Sequence, residues 1–127
     1  MVSKNLRKLF LFSIPLFIAH GIEEYITGFY TFDPLLFGHL GSLSKPLYIL
    51  SKIALIAVAL TVYLFILDKK FAFIVAILWG LLLAFEIEHL YRAVSLHMYT
   101  SGLFTGILLV ILGIFYWKEL IRIWSQK

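Results

Sequence analysis

Cysteine is absent, and charged residues are scarce, at 14% of the 127 positions. Without cysteine there is no disulfide and no thiolate ligand, so the redox compartment is not written in the chain. The shortage of charge is equally restrictive, because soluble domains devote about a quarter of their residues to it. Several signatures are missing as well. The chain contains no P-loop, no Gly-x-Gly-x-x-Gly, no Gly-x-Ser-x-Gly and no His-Glu-x-x-His, which removes the readings those motifs carry. Neither a long-period repeat nor a low-complexity segment occurs. The formal net charge is +4, but the basic residues form small clusters rather than a stripe, so nucleic acid is not expected as a partner.

What is present is apolar: 62% of residues, with a mean hydropathy of +0.99. A soluble fold of this size could not hide so much apolar surface, whereas a membrane accepts it as solvent. The expected fold is all-α: a single polytopic membrane domain, a small bundle of four transmembrane helices at 6–27, 46–67, 71–95 and 102–120. Each is near the roughly 20 residues needed to cross a bilayer, the last only if its basic tail contributes. Pro15 should kink the first helix, and Pro46 suits the first turn of the second. The basic start and apolar run at the N-terminus lack a small-residue cleavage site and read as a retained helix.

Basic residues set the expected orientation. Lys4, Arg7 and Lys8 precede the first helix, Lys69 and Lys70 join the second to the third, and Lys118, Arg122 and Lys127 follow the fourth. Four spans put all three groups on one side, which should be the cytoplasm, together with both termini. Tyr116, Trp117 and Trp124 fit an aromatic belt there. The expected location is the plasma membrane of a prokaryotic cell. Gly102, Gly106 and Gly113 share a face of the fourth helix that suits close packing, against this chain or against a second copy in a homo-oligomer.

Against this background, a few polar residues stand out. His20, Glu23 and Glu24 lie within the first apolar run, and Glu86, Glu88 and His89 within the third. A charge at the centre of a spanning helix costs roughly 2.5–3.5 kcal/mol on insertion scales, so such residues are read as functional. At the rise of an α-helix, His20 lies about 18 Å from Lys8, and Glu86 about 22 Å from Phe71. Both helices run the same way, so the two clusters fall at one height, in the outer half of the membrane. Lys52 reaches a similar level on the second helix. Helical angle puts Ser13, His20, Glu24 and Thr27 on one stripe, with Glu23 beside it; which glutamate points inward is open. Glu86 and His89 face together, while Glu88 precedes Arg92 by four residues and should pair with it. His97 returns to the Glu86 face only if the third helix continues that far.

Other residues have plainer expectations. Lys52 should snorkel or neutralise a glutamate, His39 should be solvated, and Asp33-Pro34 should form a turn. The outer loop, 29–45, is apolar enough to lie on the membrane surface or to cover the site as a lid.

The His20-x-x-Glu23-Glu24 spelling and the four-span hydropathy resemble the HXXEE-domain family of small integral membrane proteins. The later Glu86 and His89, and the Tyr99-Thr100-Ser101-Gly102 turn, are similar to its second region, although Ser101 stands where a proline is common. The resemblance implies a site without naming a reaction, in a family of undefined function that is suspected to be enzymatic.

Imidazole with carboxylate suits a divalent metal such as zinc, iron or manganese. Glu86-x-x-His89 has the spacing used by di-iron carboxylate bundles, and His20-x-x-Glu23 has it reversed. The candidate catalytic set is therefore His20, Glu23, Glu24, Glu86 and His89, and the candidate metal ligands are these five with His97. Three readings remain open: a metal site, a metal-free acid/base or proton-relay site, and a network that only joins two helices. The first two fit a membrane enzyme acting on a lipid-like substrate. Proton-coupled transport and a structural membrane subunit are the alternatives.

Overall fold

The computed structural model describes residues 2–32, 39–67 and 70–126. Helix α1 spans Lys4–Ile26, a short α2 spans Phe29–Phe32, and α3 spans Ser44–Thr61 before a π-helical turn at Val62–Ile66. Helices α4, α5 and α6 span Ala72–Phe85, Ile87–Leu96 and Leu103–Trp124. Four stretches are long and apolar enough to cross a membrane: Lys4–Ile26, Gly41–Phe65, Ala72–Leu96 and Leu103–Trp124. The protein is an all-α membrane protein, a four-helix bundle. The Asp33-Pro34 turn, the middle of the outer loop, Asp68-Lys69 and Lys127 lie outside the described residues.

Helix α1 begins where Ser3 caps it, its hydroxyl accepting the Leu6 N–H at 3.1 Å. It then continues through Pro15 as one helix. Its buried face holds Leu6, Phe10, Ser13, Phe17, His20 and Glu24, spaced alternately by four and three residues. Helix α6 buries Gly106, Leu109, Gly113, Tyr116 and Leu120, alternating three and four. These are narrow seams of the coiled-coil kind, and α1 and α6 form the most extensive pairing in the bundle. Helices α4 and α5 pack on α6, and α3 on α1. The other faces are greasy and open: Phe12, Phe65, Phe85, Phe104 and Ile114 are among the exposed large hydrophobics, as lipid-facing residues should be.

Two expectations are corrected. The third span is broken at Glu86, which ends α4 and starts α5 with φ −63° and ψ −14°. No proline or glycine marks the break; the turn tightens, with the His89 N–H reaching the Glu86 carbonyl at 3.2 Å, and breaks of this sort accompany functional positions. The aromatic belt is the second correction. Tyr116 is fully buried and donates to the Ala76 carbonyl at 3.0 Å, while the Trp117 indole donates to the Gly80 carbonyl at 2.8 Å. The small residues of α4 let these rings reach its backbone, and only Trp124 is left outward. The glycine face of α6, for which the sequence left two partners open, packs against α4 and α5 of this chain. A Cβ on Gly106 would lie 3.3 Å from the His89 Cβ, and one on Gly113 would lie 3.4 Å from the Leu83 Cβ.

Candidate metal and acid/base site

The two polar clusters meet. His20 Nε2 lies 3.0 Å from Glu86 Oε2 and 3.4 Å from Glu24 Oε1. His89 Nε2 lies 3.6 Å from each of the same two oxygens. The imidazole rings are edge to face, with centroids 4.8 Å apart. His20, Glu24 and His89 are buried. One ligand atom from each of His20, Glu86 and His89 lies within 4.8 Å of the others, a group able to hold a metal ion. Two buried atoms, Glu86 Oε2 and His89 Nδ1, have no hydrogen-bond partner among the described residues. Close approach without a hydrogen bond is what a site awaiting a cation or a proton would show.

Adjacent glutamates have different fates. Glu24 turns inward: its Oε2 accepts the Tyr48 hydroxyl at 2.7 Å and the Lys52 ammonium at 2.5 Å. Lys52 thus neutralises a glutamate rather than snorkelling clear. Glu23 turns to the N-terminus of α6. It accepts the Phe104 N–H at 3.1 Å and the Tyr99 hydroxyl at 2.6 Å on Oε1, and the Thr105 N–H at 2.8 Å and hydroxyl at 2.5 Å on Oε2. This carboxylate caps a helix distant in sequence, where orphan N–H groups and the helix dipole favour an anion. Glu23 therefore supports the site and leaves the centre to Glu24. Burial, and then the bond to Glu23, push the Tyr99 phenol up to about 12.

Thr105 joins the two halves. Its hydroxyl hydrogen is taken by Glu23, an acceptor-only partner, so its oxygen can only accept from His20 Nδ1, 2.9 Å away. The network thereby assigns the His20 tautomer: Nδ1 carries hydrogen and Nε2 faces the carboxylates. Such a fixed outer bond is how metal-binding imidazoles are commonly oriented. Gly102, with φ +79°, forms the floor, since a Cβ there would lie 2.6 Å from His20 Cε1 and 3.0 Å from His89 Cε1.

The remaining candidates sit outside this centre. His97 is exposed at the end of α5 in a left-handed conformation, φ 52°, so the helix stops before bringing it back to the Glu86 face. Glu88 pairs with Arg92 at 3.2 Å, as its spacing implied. His39 is exposed. Phe29 of the outer loop lies with its ring 6.1 Å from that of His89 and 6.3 Å from that of Tyr48, so the start of the loop covers the site.

Residues 11–117 match a family model described as a protein of unknown function with HXXEE motif. The chain belongs to this HXXEE family. No curated protein and no solved structure matches it. In this HXXEE protein the motif's histidine and second glutamate enter the buried centre, and its first glutamate caps a helix. Sequence reading did not find Thr105 or Tyr48, and gave Gly102 a packing role rather than a place under the imidazoles. Tyr48 carried a usable signal, four residues before Lys52 and so on the same helical face.

Proposed function

We propose that this HXXEE protein is an enzyme of a prokaryotic plasma membrane, acting on a lipid-like substrate through a divalent metal ion held by His20, Glu86 and His89. The observation that carries the proposal is the convergence of those three ligand atoms within 4.8 Å. Two imidazoles and one carboxylate suit zinc, iron or manganese and leave coordination positions for water or substrate. Held by these three residues, such an ion would supply Lewis-acid chemistry, polarising a substrate oxygen or lowering the pKa of a bound water. Glu24 Oε1 faces both imidazole Nε2 atoms, where it serves as a further ligand or as a base. Lys52 and Tyr48 hold its other oxygen and keep it from turning away.

A lipid-like substrate is favoured by the groove beside the site. This groove has a volume of about 470 Å³ between α1 and α3, with Phe17, Ile18, Ile22 and Ile53 among its walls and Tyr48 and Lys52 at its polar edge. A chain lying there would bring its head to the residues that bond Glu24. The distribution of basic residues favours this layer lying in the outer half of the membrane, with both termini cytoplasmic.

A proton in place of the metal is the second reading. If both carboxylates are ionised and both imidazoles neutral, the cluster with Lys52 carries one surplus negative charge, which a proton on His20 would balance. Elemental analysis of the detergent-purified protein separates the two. About one equivalent of metal is expected in wild type and little in His20→Ala or Glu86→Ala. A well-folded wild type without stoichiometric metal sinks the metal form and leaves acid/base chemistry. Metal kept by both variants removes this centre as the binding site.

A further inference from the structure

The end of the bundle that carries both chain ends holds a second, unrelated crevice. There α1 and α6 are joined by the Ser3 hydroxyl, which donates to Glu119 Oε1 at 2.5 Å. Arg122 grips the same carboxylate through Nε at 2.9 Å and Nη2 at 2.6 Å. Beside this clasp lies a crevice of about 540 Å³, with Lys8 and Asn5 on one wall and Lys118 and Arg122 on the other. One turn deeper the walls become Leu9, Phe12 and Phe115. From Lys8 to Phe12 the helix rises about 6 Å, so the crevice is cationic at its mouth and apolar below.

Charge separates this crevice from an ordinary basic rim. Glu119 is taken up by Arg122, whereas Lys8 and Lys118 form no ion pair among the described residues. Two ammonium groups therefore line one mouth whose own carboxylate, Glu119, is already held by Arg122. Apolar residues line the crevice beside them, a setting in which lysine keeps its head in the headgroup layer of a membrane. A small soluble anion would use the mouth and leave the apolar part empty. An acidic peptide would use neither the depth nor the greasy floor.

We infer that this crevice binds one anionic phospholipid, its phosphate between Lys8 and Lys118 and the start of one acyl chain against Leu9, Phe12 and Phe115. Basic pockets between spanning helices are suited to such headgroups. The site is separate from the His/Glu centre, lies at the opposite end of α1, and does not depend on that centre's chemistry.

Native mass spectrometry of the full-length protein in detergent tests this, with phosphatidylglycerol, phosphatidylcholine of the same chains, and glycerol phosphate as probes. Wild type should retain one phosphatidylglycerol per chain, at least tenfold over phosphatidylcholine, and no glycerol phosphate. Lys8→Gln with Lys118→Gln should lower that retention at least tenfold. Lys45→Gln with Lys70→Gln removes the same charge elsewhere and should leave it intact. Equal retention of the two lipids, or equal loss in the two double variants, would overturn a local site. Glycerol phosphate held as tightly as the lipid would make it a soluble-anion site and overturn the lipid assignment.

Discussion

The two ends of the bundle bury polar groups in opposite ways. Toward the end that carries the chain termini, the Trp79 indole donates to Ser13 Oγ at 2.8 Å, and Ser13 passes its own hydrogen to the Phe10 carbonyl at 2.6 Å. Tyr116 and Trp117 likewise end on α4 carbonyls. Each of these hydrogens has an acceptor. At the other end, Glu86 Oε2 and His89 Nδ1 are buried with no hydrogen-bond partner among the described residues. An unsatisfied buried polar atom costs about 1–3 kcal/mol, so the second arrangement is poor as a way of holding helices together. One end of the bundle satisfies the polar groups it buries, while the other brings together a group able to hold a metal ion. The same helices supply both: the imidazoles stand on the α1–α6 seam that the aromatic end closes.

The largest effect expected from testing this contrast is at Gly102. Gly102→Ala forces a methyl against His20 and adds strain at a left-handed φ, so a loss of about 3 kcal/mol is expected, together with loss of any bound metal. A variant that melts like wild type and keeps its metal would show that the floor is looser than its geometry. Thr105→Val should be next. It removes two interhelical hydrogen bonds, about 1 kcal/mol on the scale measured in membranes, and frees the His20 tautomer. Nitrogen NMR of labelled histidine should show hydrogen on Nδ1 in wild type and in Thr105→Ser, and not in Thr105→Val. An unchanged tautomer in the valine variant would remove Thr105 from the site's support.

The smallest effect sharpens the comparison most. Ser13→Ala orphans the Trp79 indole and should lower stability by about 0.6 kcal/mol. With metal stripped from both proteins, His89→Leu should lower it not at all, or raise it, because an unsatisfied group is replaced by an apolar one of similar size. Thermal unfolding in one detergent measures both. If His89→Leu proves the more damaging, the histidine end is also built for cohesion and the contrast fails.

Much of this was legible in the sequence. Hydropathy revealed the four spans, and rise per residue brought His20 and Glu86 to one height, a reckoning confirmed by their 3.0 Å approach. The Glu88–Arg92 pair followed from spacing alone. The aromatic residues of α6 were misjudged because their destination is the backbone of another helix, which leaves no trace in the spacing of Tyr116 and Trp117. The break at Glu86 had no proline or glycine to announce it.

What the chain decides by itself is where lipid must be met and at what depth charge is carried, because the transfer of a residue from water to hydrocarbon depends on that residue and its immediate neighbours. Which of Glu23 and Glu24 faces inward was beyond it. A rotation of α1 by about 100°, one residue's angle, would bring Glu23 to where Glu24 stands. The choice rests on the Phe104 and Thr105 N–H groups, which come from the far end of the sequence and capture Glu23, and on Tyr48 and Lys52, which capture Glu24. The glycines of α6 were equally undecided until two imidazoles were found resting on Gly102 and Gly106. These outcomes are pairwise, set by partners that only the packed bundle brings together.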